Sequence, residues 1–125
     1  MIKTKPILER EIVEKLLTQY GFDKDKNFTV LELWDSDVQA GFLVLSIVDD
    51  TVYFDKFILV KEYSELERIF FVDFLMRSGA SYAENRGIEN MVNMDSEVAE
   101  LLIKKGFKKE DDKVFAPVSL VVHYH

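Results

Sequence analysis

The sequence predicts a single α/β domain: a mixed, mostly antiparallel sheet flanked by helices, in the order α-βββ-α-β-α-ββ. Three observations carry this reading. Three strand-like runs follow one another between Phe28 and Val60, separated only by short polar turns. Apolar residues recur at helical spacing in three other segments, and each of these closes on a glycine. Finally, 125 residues with 48% apolar content suit one core, and no linker, repeat or low-complexity stretch divides residues 1–125 into two units.

In the first helical segment Leu8, Ile12, Leu16 and Tyr20 share one face, widened by Val13 and Leu17. Gly21 stands at the C′ position, and Phe22 is placed to fold back on the last turn. The residues before Pro6 have room for a short strand. Phe28–Trp34, Val38–Val48 and Val52–Val60 form an antiparallel meander, whose middle run is apolar on both faces, as a central strand should be. A long helix is expected from Glu65 to about Arg86, with Ser64 as its N-cap and Ile69, Val72, Met76, Ala80 and Ala83 as its inner stripe. Gly79 within it marks close packing, and Gly87 ends it.

The run 88–94 reads as a short strand. Ser96 is expected to cap the next helix, whose Val98, Ala99, Leu101 and Leu102 face inward. Lys104 and Lys105 suit the negative end of that helix, and Gly106 follows as C′. A last strand pair, 107–110 and 114–124, returns around the acidic turn Glu110-Asp111-Asp112. Pro117 there suggests an edge or a bulge.

Composition excludes several functions. A net charge of −7 and the lack of any basic run argue against nucleic acid as a partner. Without cysteine there is no disulfide, thiolate metal site or cysteine nucleophile. The charged N-terminus has no signal-peptide core and no run reaches membrane-spanning length, so the expectation is a cytoplasmic protein with no membrane partner. Asp23, Asp25 and Asn27 alternate as in a calcium loop. Phe28, however, stands where the loop needs glycine, and Trp34 where it needs a bidentate glutamate. His123 and His125 share a strand face but lack a third ligand nearby. No metal is expected.

The stretch "AGFLVLSIVDDTVYFDKFILVKEY" resembles the paired strands of the GNAT family of N-acetyltransferases, in which "GF" opens the third strand and the fourth runs into "V-x-P-E-Y". "SYAENRGIENMVNM" resembles the end of that family's central helix and its fifth strand, and "EVAELLIKKGF" its "L-Y-x-K-x-G-F" helix end. The pieces span Val38 to Phe107 in the family's order. The resemblance implies a GNAT-like sheet whose fourth and fifth strands splay apart, with acetyl-CoA in the V-shaped gap. The pantetheine arm would pair with the backbone of Ile58, Leu59 and Val60. Asp55 aligns roughly with a glutamate that some members use as general base.

The family's diphosphate site is a glycine-rich turn whose backbone amides, with the following helix N-terminus, bind the phosphates. No glycine occurs here between Gly41 and Gly79. Glu62, Glu65 and Glu67 bring negative charge to the seat, and Arg68 is the cation taken to face it. The family's acid tyrosine falls on Leu102, which cannot donate a proton, and its helix-opening asparagine on Ser96. The expectation is therefore a degenerate, non-catalytic member acting as a binding or interaction module. The alternative is an active acyl-CoA-dependent N-acetyltransferase on a small amine or peptide amine, with Asp55 as base.

Between Ile69 and Met76 only Asp73 interrupts an apolar run. Phe70, Phe71 and Phe74 cannot all face inward from one helix. They are expected to form a homodimer contact, to fill the cofactor groove, or to pack in the core under the N-terminal helix.

Overall fold

The computed structural model describes residues 1–122; the pair His123 and His125 lies outside the described residues. Seven strands form one sheet: β1 (Ile2–Pro6), β2 (Thr29–Asp35), β3 (Val38–Val48), β4 (Thr51–Leu59), β5 (Asn90–Asn93), β6 (Lys108–Glu110) and β7 (Lys113–Pro117). Their spatial order is β1-β2-β3-β4-β5-β7-β6. All neighbours run antiparallel except β4 and β5, which are parallel and paired from Thr51↔Asn90 to Phe54↔Asn93. Three hairpin tips carry a short polar residue in the left-handed region: Ser36, Asp49 and Asp111.

Two bulges bend the long strands. β3 carries Ala40 as an extra residue opposite the Leu33–Trp34 step of β2. β4 carries Asp55 as an extra residue opposite the Val44–Leu45 step of β3. The second bulge increases the local twist of β4 just where its pairing with β5 stops.

The helices are α1 (Arg10–Gln19), α2 (Glu65–Glu84) and α3 (Ala99–Lys104), the last entered through a 3-10 turn at Ser96–Val98. They lie on both faces of the sheet. On one face α2 and α3 pack on Leu31, Leu33, Leu43, Leu45, Phe54 and Phe57. On the other, α1 presents Val13, Leu16 and Leu17 to Val30, Phe42, Val44 and Ile58. The α1 stripe is therefore rotated from the expected one. Leu8 precedes the helix and is 88% exposed, and Ile12 is 45% exposed, because a helix on this face needs only its Val13-Leu16-Leu17 side.

All three helices end with the same pair of bonds. Phe22, Ile88 and Phe107 N–H reach back five residues to the carbonyls of Leu17, Ala83 and Leu102. Gly21, Gly87 and Gly106 N–H bond three residues back. This is the Schellman geometry, and the positive φ of each glycine is what it requires.

Three local expectations are corrected. The cap before α3 is Asp95, whose side chain accepts from Glu97 N–H; the chain has already turned at Ser96. The last strand stops at Pro117 and becomes a 3-10 turn at Val118–Leu120. Pro117 pairs with Asn90 of β5, but the β6 ladder stops at Lys108↔Phe115, so proline stands where that side of β7 is locally an open edge, and it ends the strand. Ile69 is half-buried, while Phe71, Val72, Leu75 and Met76 carry the inner face of α2.

Candidate functional site

The parallel pairing of β4 with β5 ends where Met94 N–H donates to the Phe54 carbonyl at 2.9 Å. Beyond it, past the Asp55 bulge, the strands diverge. A cleft of about 340 Å³ opens there, floored by Phe57, Leu59, Val72 and Val98 and rimmed by Tyr63 and Arg68. Side-chain alternation decides which backbone groups face it. Phe57 N–H points across the cleft, so Leu59, two residues on, faces the same way. Val60 N–H is turned to the opposite side, where it bonds the Ala40 carbonyl at 3.1 Å. The Ile58 side chain is buried under α1. Of Ile58, Leu59 and Val60, Leu59 alone presents its backbone edge to the cleft.

At the apex stands Asp95, which sequence reading missed. Its Oδ2 accepts from Phe57 N–H at 2.9 Å and its Oδ1 from Glu97 N–H at 3.0 Å. Asn93 braces it twice: Nδ2 donates to the Asp95 carbonyl at 2.9 Å, and Oδ1 accepts from Asp95 N–H at 3.2 Å. Both residues are 6% exposed. The signal that could have found them is "NMD", an amide and a carboxylate two residues apart where a strand gives way to a helix.

At the outer end of the cleft α2 begins with a complete capping box. Glu67 N–H donates to Ser64 Oγ at 3.3 Å, and Ser64 N–H to Glu67 Oε1 at 3.4 Å. Arg68 N–H closes the first helical turn on the Ser64 carbonyl. This leaves the Glu65 and Leu66 amides for any external acceptor, beside the two carboxylates of the first turn. The Arg68 guanidinium is also engaged: Nη2 donates to the Glu97 carbonyl at 2.9 Å, and Nη1 lies 3.9 Å from Glu65 Oε1. It ties α2 to the 3-10 turn across the mouth of the cleft. Lys61, passed over in the sequence, lines the same cleft with its ammonium 5.1 Å from the centre of the Tyr63 ring. Burial, then the charges of Glu67 and Asp35, raise the Tyr63 phenol above its ordinary pKa, so it keeps its proton at neutral pH.

Asp55 sits on the β4 bulge, half-buried, and its Oδ2 accepts from Ser46 Oγ at 2.7 Å. Burial raises its pKa, opposed by the Ser46 hydrogen bond and the positive charge of Lys26. Leu102 is fully buried in the core beneath α2. Phe71 is buried, with its edge against Tyr63 at 4.9 Å, and Phe74 packs partly on the same core. Phe70 is 44% exposed and stacks on Phe71. None of the three lies under α1, which occupies the opposite face of the sheet.

Among the described residues no group of three or more His, Cys, Asp or Glu side chains is placed to hold a metal ion, and no helix is long and apolar enough to cross a membrane.

This sheet, with one parallel pair that splays beyond a bulge, is the fold of the GNAT N-acetyltransferases. Solved structures share it at low sequence identity. The spermidine/spermine N-acetyltransferase SpeG from Vibrio cholerae, in mutant forms, is 11% identical with a TM-score of 0.67, over 95% of this chain and 96% of that one. An Escherichia coli N-acetyltransferase of a ribosomal-protein alanine is 12% identical with a TM-score of 0.66, over 94% of each chain. A Bacillus subtilis acetyltransferase in complex with CoA is 14% identical with a TM-score of 0.59, over 91% of this chain and 94% of that one. No family model matches the chain, and no curated protein does.

Proposed function

We propose that this chain is a non-catalytic form of the acetyltransferase fold that serves as a binding or interaction module. The observation that supports the reading is the start of α2. Where a diphosphate would need bare backbone amides, the helix caps itself with Ser64 and Glu67, and Glu65 adds a second carboxylate. Anions and carboxylates compete for the same positive end of a helix, so the phosphate is opposed by both occupancy and charge. The residues present do not fit the diphosphate of acetyl-CoA. Leu102, which the family resemblance aligns with the acid tyrosine, is buried in the core and has no proton to donate, which agrees with this.

The interaction partner in this reading is a second copy of the chain. Leu66 and Phe70 lie one turn apart on α2 and are 80% and 44% exposed. They form an apolar pair that a monomer leaves in water.

A second reading, an acyl-CoA-dependent N-acetyltransferase acting on a small or peptide amine, is favoured by Asp55. A half-buried carboxylate with a raised pKa, on the β4 bulge just before β4 and β5 part, suits a general base that accepts the amine's proton. Thermal unfolding with acetyl-CoA or CoA separates the two readings. A ligand at about 100 times its dissociation constant stabilises a fold by ~2.7 kcal/mol. The expected result at millimolar ligand is no shift; a clear rise in Tm would reinstate the enzyme reading.

A further inference from the structure

The cleft already contains an occupant. Once β4 leaves β5, the first β4 amide facing the gap is Phe57, and its acceptor is the side chain of Asp95 rather than a strand backbone. That carboxylate is buried, and among the described residues no lysine, arginine or histidine pairs with it. A buried carboxylate without a counter-ion has to be held by N–H donors, and Phe57 and Glu97 provide them. Asn93 fixes the Asp95 main chain so that the carboxylate lies along the open edge of β4. Any extended chain that pairs along that edge as far as Phe57 meets the carboxylate there.

We propose that Asp95 is an internal latch. It holds Phe57 N–H against incoming acceptors, and an amide-bearing chain pairs with Phe57 and Leu59 only after Asp95 releases. A charged acceptor makes a stronger bond than the neutral carbonyl that would replace it, so the latched state dominates. Apparent affinity for such a chain then falls by the fraction of molecules in which the latch is open. The latch acts at the apex of the cleft and does not depend on whether a diphosphate can dock at α2.

Amide exchange and chemical-shift titration of labelled protein test it, with pantetheine as the probe because it carries amides and no phosphate. In the unsubstituted chain Phe57 N–H should be protected, and millimolar pantetheine should leave Phe57 and Leu59 unmoved. In Asp95→Ala, Phe57 should exchange about tenfold faster or more, and pantetheine should shift both residues. Asp95→Asn keeps one acceptor oxygen for two donors, so its effect should be intermediate; it stands in if the alanine variant does not fold. Pantetheine shifting Phe57 and Leu59 in the unsubstituted chain overturns the proposal. So does unchanged Phe57 exchange in the variants, and so does faster exchange without pantetheine binding. Docking of the diphosphate reads out elsewhere, at the Glu65 and Leu66 amides with CoA, so the two ideas fail separately.

Discussion

Gly79 rests directly on the ring of Phe54. A β-carbon at residue 79 would lie 2.7 Å from Cε1 of Phe54 and 2.8 Å from Cδ2 of Leu43. The helix that shapes the cleft is held to its sheet at this near-contact, which no side chain fits without moving both neighbours.

Gly79→Ala should therefore destabilise the protein even though alanine favours helix over glycine by about 1 kcal/mol. Overpacking of a filled core costs about 1–3 kcal/mol, and both clashing neighbours are fully buried, so a net loss is expected. Urea unfolding measures it; equal or greater stability would mean that α2 can lift off Phe54 at little cost.

Ser64→Ala should cost about 1 kcal/mol through the lost cap. The Ser64–Glu67 box is reciprocal, so Glu67→Ala should cost less once Ser64 is already alanine. A double-mutant cycle by thermal or urea unfolding gives the coupling. Strictly additive losses would show that the box is not formed in solution.

Asp55 should titrate above its ordinary value of 3.8. A carboxyl whose folded pKa is raised binds its proton more tightly in the folded chain. Its contribution thus favours folding at low pH, declines as pH rises through 3.8 to the folded pKa, and stays unfavourable above that. Asp55→Asn retains an acceptor for Ser46 and removes the charge. It should be the more stable chain near neutral pH, with the advantage shrinking below the ordinary carboxylate pKa. An NMR titration of Asp55, with unfolding curves at acid and neutral pH, checks both statements; a midpoint at or under 3.8 would contradict them.

Light scattering at high protein concentration should give a dimer, and Leu66→Ser with Phe70→Ser a monomer whose denaturation is little changed. A monomeric mass for the unsubstituted chain would remove the second copy as partner.

Much of the architecture is legible in the sequence because it is locally encoded. The bounds of β3 at Val38 and Val48, the cap at Ser64 and the helix stops at Gly21, Gly87 and Gly106 rest on signals a few residues long. The absence of glycine between Gly41 and Gly79 is equally plain, since it extends over a whole segment. What sequence reading missed is long-range. Phe57 and Asp95 are 38 residues apart, and nothing local tells a cap-forming aspartate from one that also spans a cleft. The rotation of α1 has a related cause: Leu8 and Ile12 continue the every-fourth-residue run to Leu16 and Tyr20, but the sheet offers a surface only to the side bearing Val13 and Leu17. Asp55 stands out in the sequence only through the family resemblance, and its place as the extra residue of a bulge depends on the register against Val44 and Leu45.

The parallel pairing of β4 with β5 has a mechanical consequence. That ladder runs only from Thr51↔Asn90 to Phe54↔Asn93, whereas β3 and β4 are joined from Gly41↔Leu59 to Val48↔Thr51. The sheet thus has a short seam between a large N-terminal block and a smaller C-terminal one. Partial opening is expected to begin along that seam, with the strands after α2 loosening before the meander does.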